Sequence, residues 1–322
     1  MKDSFGRTID YLRISLTDRC DLRCIYCMPA EGVENIPHRE ILTFEETARL
    51  VRIMAGLGVR KIRLTGGEPL IRRDICSLVA MIDAVDGIEE ICLTTNGTTL
   101  SDHAVMLRDA GVDRINVSLD TVDRDVYKRI TGADRLDDVM RGIDTAYGLG
   151  IPLKINCVPI RNINDSEICS IALLAKDRAI DVRFIELMPI GCGKELNGIL
   201  SDEISAMLAE RFGDPKDAYD MDVSSPAVYH RFEGFRGRIG YISPMSHRFC
   251  ERCDRIRLTA SGYLKLCLQY PAGADLKTPM RNGSSDEELA DIIKSAILQK
   301  PRAHSFSDRD ATDDRKMVQI GG

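Results

Sequence analysis

The segment Tyr11-Leu-Arg-Ile-Ser-Leu16 runs directly into Thr17-Asp-Arg-Cys20-Asp-Leu-Arg-Cys24-Ile-Tyr-Cys27, and this stretch decides the fold. Its first six residues form a short, aliphatic-rich run that is typical of a β-strand. Three thiols follow within eight residues, and thiols so close in sequence converge on one point. The stretch therefore predicts a strand that leads into a metal or redox site.

Strand-like and helical segments alternate through the first two thirds of the chain. Five further short, aliphatic runs bounded by turn residues predict strands at residues 59–64, 90–95, 114–119, 153–158 and 182–187. A helix opens at Thr43, where Glu46 completes a capping box, and apolar residues share one helical face over residues 136–147 and 168–175. This alternation predicts right-handed crossovers and a parallel sheet. Six units are too few for a closed eight-stranded barrel, so we expect an α/β fold, either an open partial barrel or a doubly wound sheet, with ligands at the carboxyl ends of the strands.

The βα pattern breaks after Pro189. Residues 213–226 are polar and acidic, which predicts a linker. Strand-like pieces, a second set of cysteines and a helix around residues 287–298 follow it. We therefore predict two units, a core domain of residues 1–225 and a C-terminal region of residues 226–322.

Composition and charge exclude several classes of protein. The net charge is −6, so the chain has no overall basic field to attract nucleic acid. The sequence contains no apolar run long enough to span a membrane and no apolar signal core at its start, which predicts a cytoplasmic protein. Eleven cysteines, an odd number, argue against a disulfide framework. Five of them are scattered among apolar neighbours and are interpreted as small buried hydrophobic residues: Cys76, Cys92, Cys157, Cys169 and Cys192.

The first cysteine set, Cys20-x3-Cys24-x2-Cys27, is compatible with three kinds of site. It could supply three ligands of a structural zinc, although zinc sites usually pair Cys-x2-Cys elements. It could be a redox pair with a spare thiol. It could also hold an iron–sulfur cubane, which normally takes four thiolates, so that three leave one iron open for a ligand.

The second set repeats the count of three thiols, at Cys250, Cys253 and Cys267. One interpretation is a zinc knuckle with His247 as the fourth ligand. The alternative is a second cubane whose open iron binds a substrate atom. Arg255 and Arg257 favour the substrate interpretation, since an extended segment puts both guanidinium groups on one side, where they match phosphate oxygens.

The first cysteine set resembles the motif of the radical S-adenosylmethionine superfamily. Tyr26, the aromatic residue before the last cysteine, also matches, as does Gly66-Gly67-Glu68-Pro69 after the second strand. Over nearly its whole length the chain resembles the GTP 3′,8-cyclase family of this superfamily, also called molybdenum cofactor biosynthesis protein A. The matching blocks are Thr17-Asp-Arg-Cys20, Lys61-Ile-Arg-Leu-Thr-Gly-Gly-Glu-Pro69, Leu93-Thr-Thr-Asn-Gly97, Arg114-Ile-Asn-Val-Ser-Leu-Asp120, Arg183-Phe-Ile-Glu186, Phe249-Cys-Glu-Arg-Cys253 and Ile320-Gly-Gly322.

The resemblance implies a partial (β/α)6 TIM-like barrel with a smaller C-terminal α+β iron–sulfur region. It also implies two 4Fe–4S clusters, one held by Cys20, Cys24 and Cys27 and one by Cys250, Cys253 and Cys267. S-adenosylmethionine would contact Tyr26, Gly67, Ser118 and Met188. GTP would contact Arg13, Arg63, Thr94, Lys154 and the segment Arg255, Ile256 and Arg257. Arg13, Arg255, Arg257 and the C-terminal Gly321 and Gly322 would serve catalysis.

The reaction implied by the resemblance is radical cyclisation of GTP to (8S)-3′,8-cyclo-7,8-dihydroguanosine 5′-triphosphate through a 5′-deoxyadenosyl radical. This is the first step of molybdenum cofactor biosynthesis. The expected partners are GTP, an electron donor that the sequence does not identify, and cyclic pyranopterin monophosphate synthase as the downstream enzyme. The protein itself is expected to be a monomer or a homodimer. Two other functions stay open: another radical enzyme with an auxiliary cluster, such as a peptide-modifying maturase, and a zinc module that docks RNA.

Overall fold

A computed structural model of the protein describes residues 1–218, 225–306, 313 and 315–321. Its strands are β1 (Tyr11–Ser15), β2 (Lys61–Thr65), β3 (Glu90–Thr95), β4 (Arg114–Ser118), β5 (Leu153–Cys157), β6 (Asp181–Ile185), β7 (Lys216–Ala218), β8 (Ala227–Arg231), β9 (Ile239–Ile242), β10 (Arg255–Leu258), β11 (Tyr263–Lys265) and β12 (Gly273–Asp275). Its helices are α1 (Phe44–Gly56), α2 (Ile75–Asp83), α3 (Leu100–Asp109), α4 (Arg124–Thr131), α5 (Leu136–Gly148), α6 (Ile168–Ala172), α7 (Ser201–Phe212), α8 (Lys277–Arg281), α9 (Asp286–Ile297) and α10 (Met317–Ile320).

All six predicted strands are present, and β3 has the predicted bounds. The largest differences are at β2, which begins at Lys61 and not at residue 59, and at β6, which ends at Ile185 and not at residue 187. Val59 ends the preceding helical turn instead, because its backbone N–H donates to Met54 at 2.9 Å. The predicted capping box at Thr43 and Glu46 is confirmed at the start of α1.

The six strands β1 to β6 lie side by side in sequence order, and each pairs with the next in parallel. A doubly wound sheet reverses its strand order at a switch point, whereas this order does not reverse. Right-handed crossovers of one sense put all the connecting helices on one side of the sheet. The fold is therefore a partial barrel, and the doubly wound alternative is wrong.

The C-terminal strands continue the same sheet at both of its edges. β10 pairs in parallel with β1, with Tyr11 opposite Arg255, and β11 and β12 extend this edge. β9 pairs in parallel with β6, and β8 and β7 follow it. The sheet thus has twelve strands within the described residues. The division at residue 225 remains a prediction, although strands from both sides of it share this sheet.

The predicted linker of residues 213–226 is only partly correct. Residues 216–218 form the edge strand β7, which pairs with β8. Residues 219–224 lie outside the described part of the chain. The predicted helix at residues 168–175 is the short α6 followed by a 3-10 turn, and the one around residues 287–298 is α9.

The helices bury their apolar faces against the outside of the barrel. In α5, Leu136, Val139, Ile143 and Ala146 are all buried, as their spacing predicts. In the described ranges, no helix is both long enough and apolar enough to cross a membrane.

Candidate active site

The carboxyl ends of the barrel strands open into a cavity of about 390 Å³. All six cysteines of the two sets line it. Its wall also includes every other residue predicted to bind cofactor or substrate except Ile256. Two cysteine trios that are far apart in sequence therefore face one chamber.

The first trio lies on the loop that follows β1. Its backbone is anchored to the end of α4, since the N–H of Arg23 donates to Thr131 at 2.7 Å. A turn joins the last two cysteines, with the N–H of Cys27 donating to the carbonyl of Cys24 at 2.8 Å. The Sγ atom of Cys20 accepts a hydrogen bond from the N–H of Leu22 at 3.4 Å. The loop is thus fixed by backbone contacts that leave the three thiols facing the cavity.

Burial makes these thiols poor acids in the protein alone. It raises the pKa of Cys20 and of Cys27 to about 12, and it raises the pKa of Cys24 well above its ordinary value. Three thiolates would therefore need a strongly cationic partner, and iron ions supply one. No three His, Cys, Asp or Glu side chains of the described residues are close enough to hold a single metal ion. A cubane puts each thiolate on a different iron and accepts a wider spacing, so the trio fits a cubane.

The Gly-Gly-Glu-Pro segment is joined to the loop of the first trio by two backbone hydrogen bonds. Gly67 donates to Thr17 at 2.6 Å and Glu68 to Arg19 at 2.8 Å. A Cβ on Gly67 would lie 2.0 Å from the carbonyl oxygen of Arg19, so only glycine fits there. The contact puts the bare backbone of Gly67 in the cavity wall, beside Cys20.

Glu68 is a buried carboxylate that joins two loops. It accepts hydrogen bonds from Leu70 N–H at 3.0 Å, from the Thr95 hydroxyl at 2.7 Å and from Asn96 N–H at 2.7 Å. Burial raises its pKa to about 7, although these hydrogen bonds oppose the rise. Glu68 therefore ties the ends of β2 and β3 together under the first trio.

The other three residues predicted to contact S-adenosylmethionine also line the cavity, one from the loop of the first trio and two from the ends of other strands. Tyr26 donates its hydroxyl to Asp120 at 2.7 Å, which orients its ring, while Ser118 ends β4 and Met188 follows β6. Burial raises the pKa of Asp120 to about 6. Asp120 was missed by sequence reasoning, although it closes the quoted block from Arg114 to Asp120.

The second trio lies on loops that flank β10 and β11. Cys250 and Cys253 surround a single 3-10 turn before β10, and Cys267 follows β11. The pKa of Cys253 is lower than its ordinary value, because the charge of Lys300 and contacts with Arg255 outweigh the opposing effect of burial. The first trio has acidic neighbours, whereas the second trio has cationic neighbours. Both sets of thiols can hold a cubane.

Three arginines form a row across neighbouring strands between the two trios. Arg13 on β1 pairs in register with Arg257 on β10 at one side and with Arg63 on β2 at the other. Burial lowers the pKa of Arg13 well below its ordinary value, and the charge of Arg257 lowers it further. An anion bound in the cavity would offset the repulsion between these neighbouring guanidinium groups. Arg255 lines the cavity on the same face of β10 as Arg257.

Ile256 is placed differently from its arginine neighbours. Its side chain is fully buried in the hydrophobic core, because alternate residues of a strand point to opposite faces. It does not line the cavity, so any contact between this residue and substrate would have to come from its backbone.

Lys154 and Thr94 continue the polar row. The Nη1 of Arg63 donates to the Thr94 hydroxyl at 3.3 Å. The ammonium of Lys154 donates to the hydroxyl of Tyr229 at 2.9 Å and lies 3.5 Å from a carboxylate oxygen of Asp181. Lys154 therefore has an anionic partner in the protein and does not depend on a phosphate for one.

The C-terminal tail enters the mouth of the barrel. The carbonyl of Gly321 accepts a hydrogen bond from Arg257. Gly321 has φ of +75° and packs between β1 and β2, where a Cβ would lie 2.9 Å from the Thr65 hydroxyl and 3.1 Å from Ser15. Gly322 lies outside the described residues. The tail thus reaches an arginine that is predicted to bind substrate.

Sequence reasoning missed several polar residues that line the cavity. Asn116 pairs in register with Thr94 and Lys154, and its buried Oδ1 has no hydrogen-bond partner. Arg183, on β6, donates to Asn156 at 2.9 Å. The signal was present in the sequence, because each of these polar residues interrupts an apolar strand at a position that faces the barrel interior.

The scattered cysteines largely match their interpretation. Cys92 and Cys157 are buried, and Cys76 and Cys169 pack partly buried against the core. Cys192 differs, since it lies close enough to Cys27 to contribute to the raised pKa of Cys27.

Comparison with known proteins places the chain in a class. The model of the radical SAM superfamily matches residues 14–175, and that of Molybdenum Cofactor Synthesis C matches residues 180–306. Among solved structures, Streptococcus suis SuiB bound to S-adenosylmethionine superposes with a TM-score of 0.63 at 14% identity, over 90% of this chain and 68% of that one. The same protein bound to its precursor peptide SuiA gives 0.60, over 82% and 60%. These structures share the fold.

The chain therefore belongs to the radical S-adenosylmethionine superfamily, whose enzymes use S-adenosylmethionine and a 4Fe–4S cluster. Curated relatives narrow this class. The GTP 3′,8-cyclase of Clostridium perfringens strain 13 is 45% identical over 323 residues, and that of Desulforamulus reducens is 46% identical over 326, in both cases over 100% of each chain. Within the superfamily, the chain belongs to the GTP 3′,8-cyclase family.

Proposed function

We propose that this enzyme forms a carbon–carbon bond between C3′ and C8 of GTP, the first step of molybdenum cofactor biosynthesis. The hydrogen on C3′ would pass to the 5′-deoxyadenosyl radical, and one further electron from the electron donor with one proton would reduce the cyclised nucleotide radical to (8S)-3′,8-cyclo-7,8-dihydroguanosine 5′-triphosphate. One observation carries the proposal: two cysteine trios face a single cavity, with a row of arginines between them. The cavity can hold one molecule near each trio, and the arginines match the charge of a triphosphate.

The first trio would hold one 4Fe–4S cluster through Cys20, Cys24 and Cys27. When bound, this cluster supplies the electron that splits S-adenosylmethionine into methionine and a 5′-deoxyadenosyl radical. The backbone of Gly67 would receive the methionine end of the cofactor, because no side chain blocks its approach. Tyr26, held by Asp120, would pack on the adenine.

Ser118 and Met188 would complete the cofactor pocket. The second trio, Cys250, Cys253 and Cys267, would hold the auxiliary cluster that receives the guanine. Between the two trios, the arginine row would hold the triphosphate of GTP, since guanidinium groups donate in pairs to phosphate oxygens.

Arg63 is preorganised for the triphosphate by Thr94, and Lys154 by Tyr229 and Asp181. Held in this way, the ribose of GTP would lie between the two cofactor sites. The tail would help to exclude water, since the carbonyl of Gly321 closes on Arg257 at the cavity.

The further partners belong to the same proposal. The product would pass to cyclic pyranopterin monophosphate synthase, and a reductase or small electron carrier would reduce the first cluster. We propose a cytoplasmic enzyme that works as a monomer or homodimer.

The test is anaerobic incubation with S-adenosylmethionine, a chemical reductant and GTP deuterated at C3′. We expect 5′-deoxyadenosine that forms only with GTP and carries one deuterium, and a product with the mass of the cyclised nucleotide. The Cys24→Ala variant is the control and should form neither. Formation of 5′-deoxyadenosine without deuterium, or with a peptide in place of GTP, would refute the proposal. Zinc in place of about eight irons per chain would refute the two-cluster assignment.

A further inference from the structure

A buried lysine lies where two cysteine-bearing segments of the auxiliary site meet. Lys300, which follows α9, is 3% exposed and lines the cavity with Cys253 and Cys267. Its ammonium donates to the carbonyl of Arg255 at 2.7 Å and to the carbonyl of Leu266 at 2.5 Å. Leu266 immediately precedes Cys267, and Arg255 is two residues beyond Cys253. One side chain therefore holds the positions of both cysteines relative to each other.

The third cysteine is tied to the same place by an arginine from the N-terminus. Nη1 of Arg7 donates to the carbonyl of Cys250 and to that of Arg302, both at 2.8 Å, and Nη2 donates to the carbonyl of Pro301 at 2.7 Å. Nε of Arg7 pairs with Asp3 at 2.6 Å, and this ion pair is buried. Arg7 thus attaches Cys250 to the two residues that directly follow Lys300.

Within the described residues, the hydrogen bonds of the Lys300 ammonium go to two main-chain carbonyls and not to a carboxylate. Two carbonyls accept two of its three protons, but a buried ammonium also needs an opposite charge nearby. A cubane on three thiolates carries net negative charge, and its reduction by one electron adds another. The ammonium would therefore stabilise the loaded site, and the reduced form most of all.

We propose that Lys300 and Arg7 are the positioning residues of the auxiliary cluster, and that Lys300 also raises its reduction potential. Arg7 and Lys300 hold the three cysteine-bearing segments in place through main-chain carbonyls. This inference rests on the auxiliary cluster of the proposed function, and its test is independent of GTP turnover.

The potential is measured in a background that carries only the auxiliary cluster, made by changing Cys20, Cys24 and Cys27 to alanine. In this background, Lys300→Gln should lower the midpoint potential seen by electron paramagnetic resonance. We expect the midpoint potential to fall by at least about 59 mV, which for one electron is a tenfold change in the ratio of reduced to oxidised cluster at a fixed potential. Lys300→Arg keeps the charge and should restore the potential. Lys294→Gln, on the exposed side of α9, should change nothing.

Iron analysis tests the positioning role in the otherwise wild-type enzyme. Arg7→Met should lose about half of the iron while keeping the signal of the first cluster. An unchanged potential and full iron in Lys300→Gln would overturn the inference for Lys300, and full iron in Arg7→Met would overturn it for Arg7. If Lys300→Gln loads no auxiliary iron, rescue by Lys300→Arg supports the inference and equal loss in both overturns it. If the variants show these effects but the wild-type enzyme does not cyclise GTP, only the proposed function is refuted.

Discussion

The close contact of Gly67 with the loop of the first trio gives the sharpest prediction. In Gly67→Ala the new Cβ would lie 2.0 Å from the carbonyl oxygen of Arg19. A normal contact needs more than 3 Å, and both atoms belong to backbone, so the two segments must separate by about 1 Å or more. The separation breaks the hydrogen bonds from Gly67 to Thr17 and from Glu68 to Arg19.

Each broken hydrogen bond costs about 1 kcal/mol, and burying the freed groups without partners adds about 1–2 kcal/mol. We therefore expect a loss of about 3–4 kcal/mol in unfolding free energy, and a fall in Tm of about 4–6 °C for a chain of this size. Iron at the first trio should also fall, because the loop that carries Cys20 is displaced. The assays are anaerobic scanning fluorimetry at one scan rate and iron analysis.

The matched control is Gly148→Ala at the end of α5, where an added Cβ meets nothing within 4 Å. Alanine is the better helix former, so this variant should keep or raise the Tm and keep its iron. A Gly67→Ala enzyme with the Tm, the iron content and the S-adenosylmethionine affinity of the wild type would refute the reasoning.

Three further predictions concern the cavity. A tag added after Gly322 should abolish cyclisation and spare both clusters, because it displaces the tail from Arg257; a fully active tagged enzyme would contradict this. Lys154→Met should raise KM for GTP roughly 10- to 100-fold through the loss of a charged hydrogen bond, with little change in kcat, whereas Lys128→Met on an exposed helix face should leave both unchanged. Asn116→Leu should lower kcat/KM for GTP about tenfold without lowering the Tm, since its Oδ1 has no partner in the protein; a lower Tm with normal kinetics would show a structural role instead.

Local sequence patterns were sufficient to predict the barrel strands and the site formed by the first trio. The strand β3 and the capping box at Thr43 were predicted because neighbouring residues determine them. The motif around Cys20 is equally local. The polar residues that interrupt apolar strands, such as Arg13 and Lys154, could be predicted as site residues, because burying a charge costs free energy unless a partner or a ligand compensates it.

Contacts between distant segments could not be predicted in this way. No periodicity indicates that β10 lies beside β1, or that Gly321 packs between the ends of β1 and β2. Lys300 and Arg7 look like ordinary surface charges in the sequence, because their partners are main-chain carbonyls that carry no sequence signal. The doubly wound alternative also stayed open until the strand order was known.

The pairing of β1 with β10 has a consequence for synthesis of the chain. β1 leaves the ribosome long before its neighbour on one side, the strand β10, which ends at Leu258. At about 5–20 residues per second, the interval between β2 and β10 lasts on the order of ten to forty seconds. During that time the nascent chain presents an open strand edge next to the three thiols of the first trio. Slow translation or early termination would therefore expose this edge to aggregation, and a chaperone that shields it would raise the yield of enzyme able to receive iron.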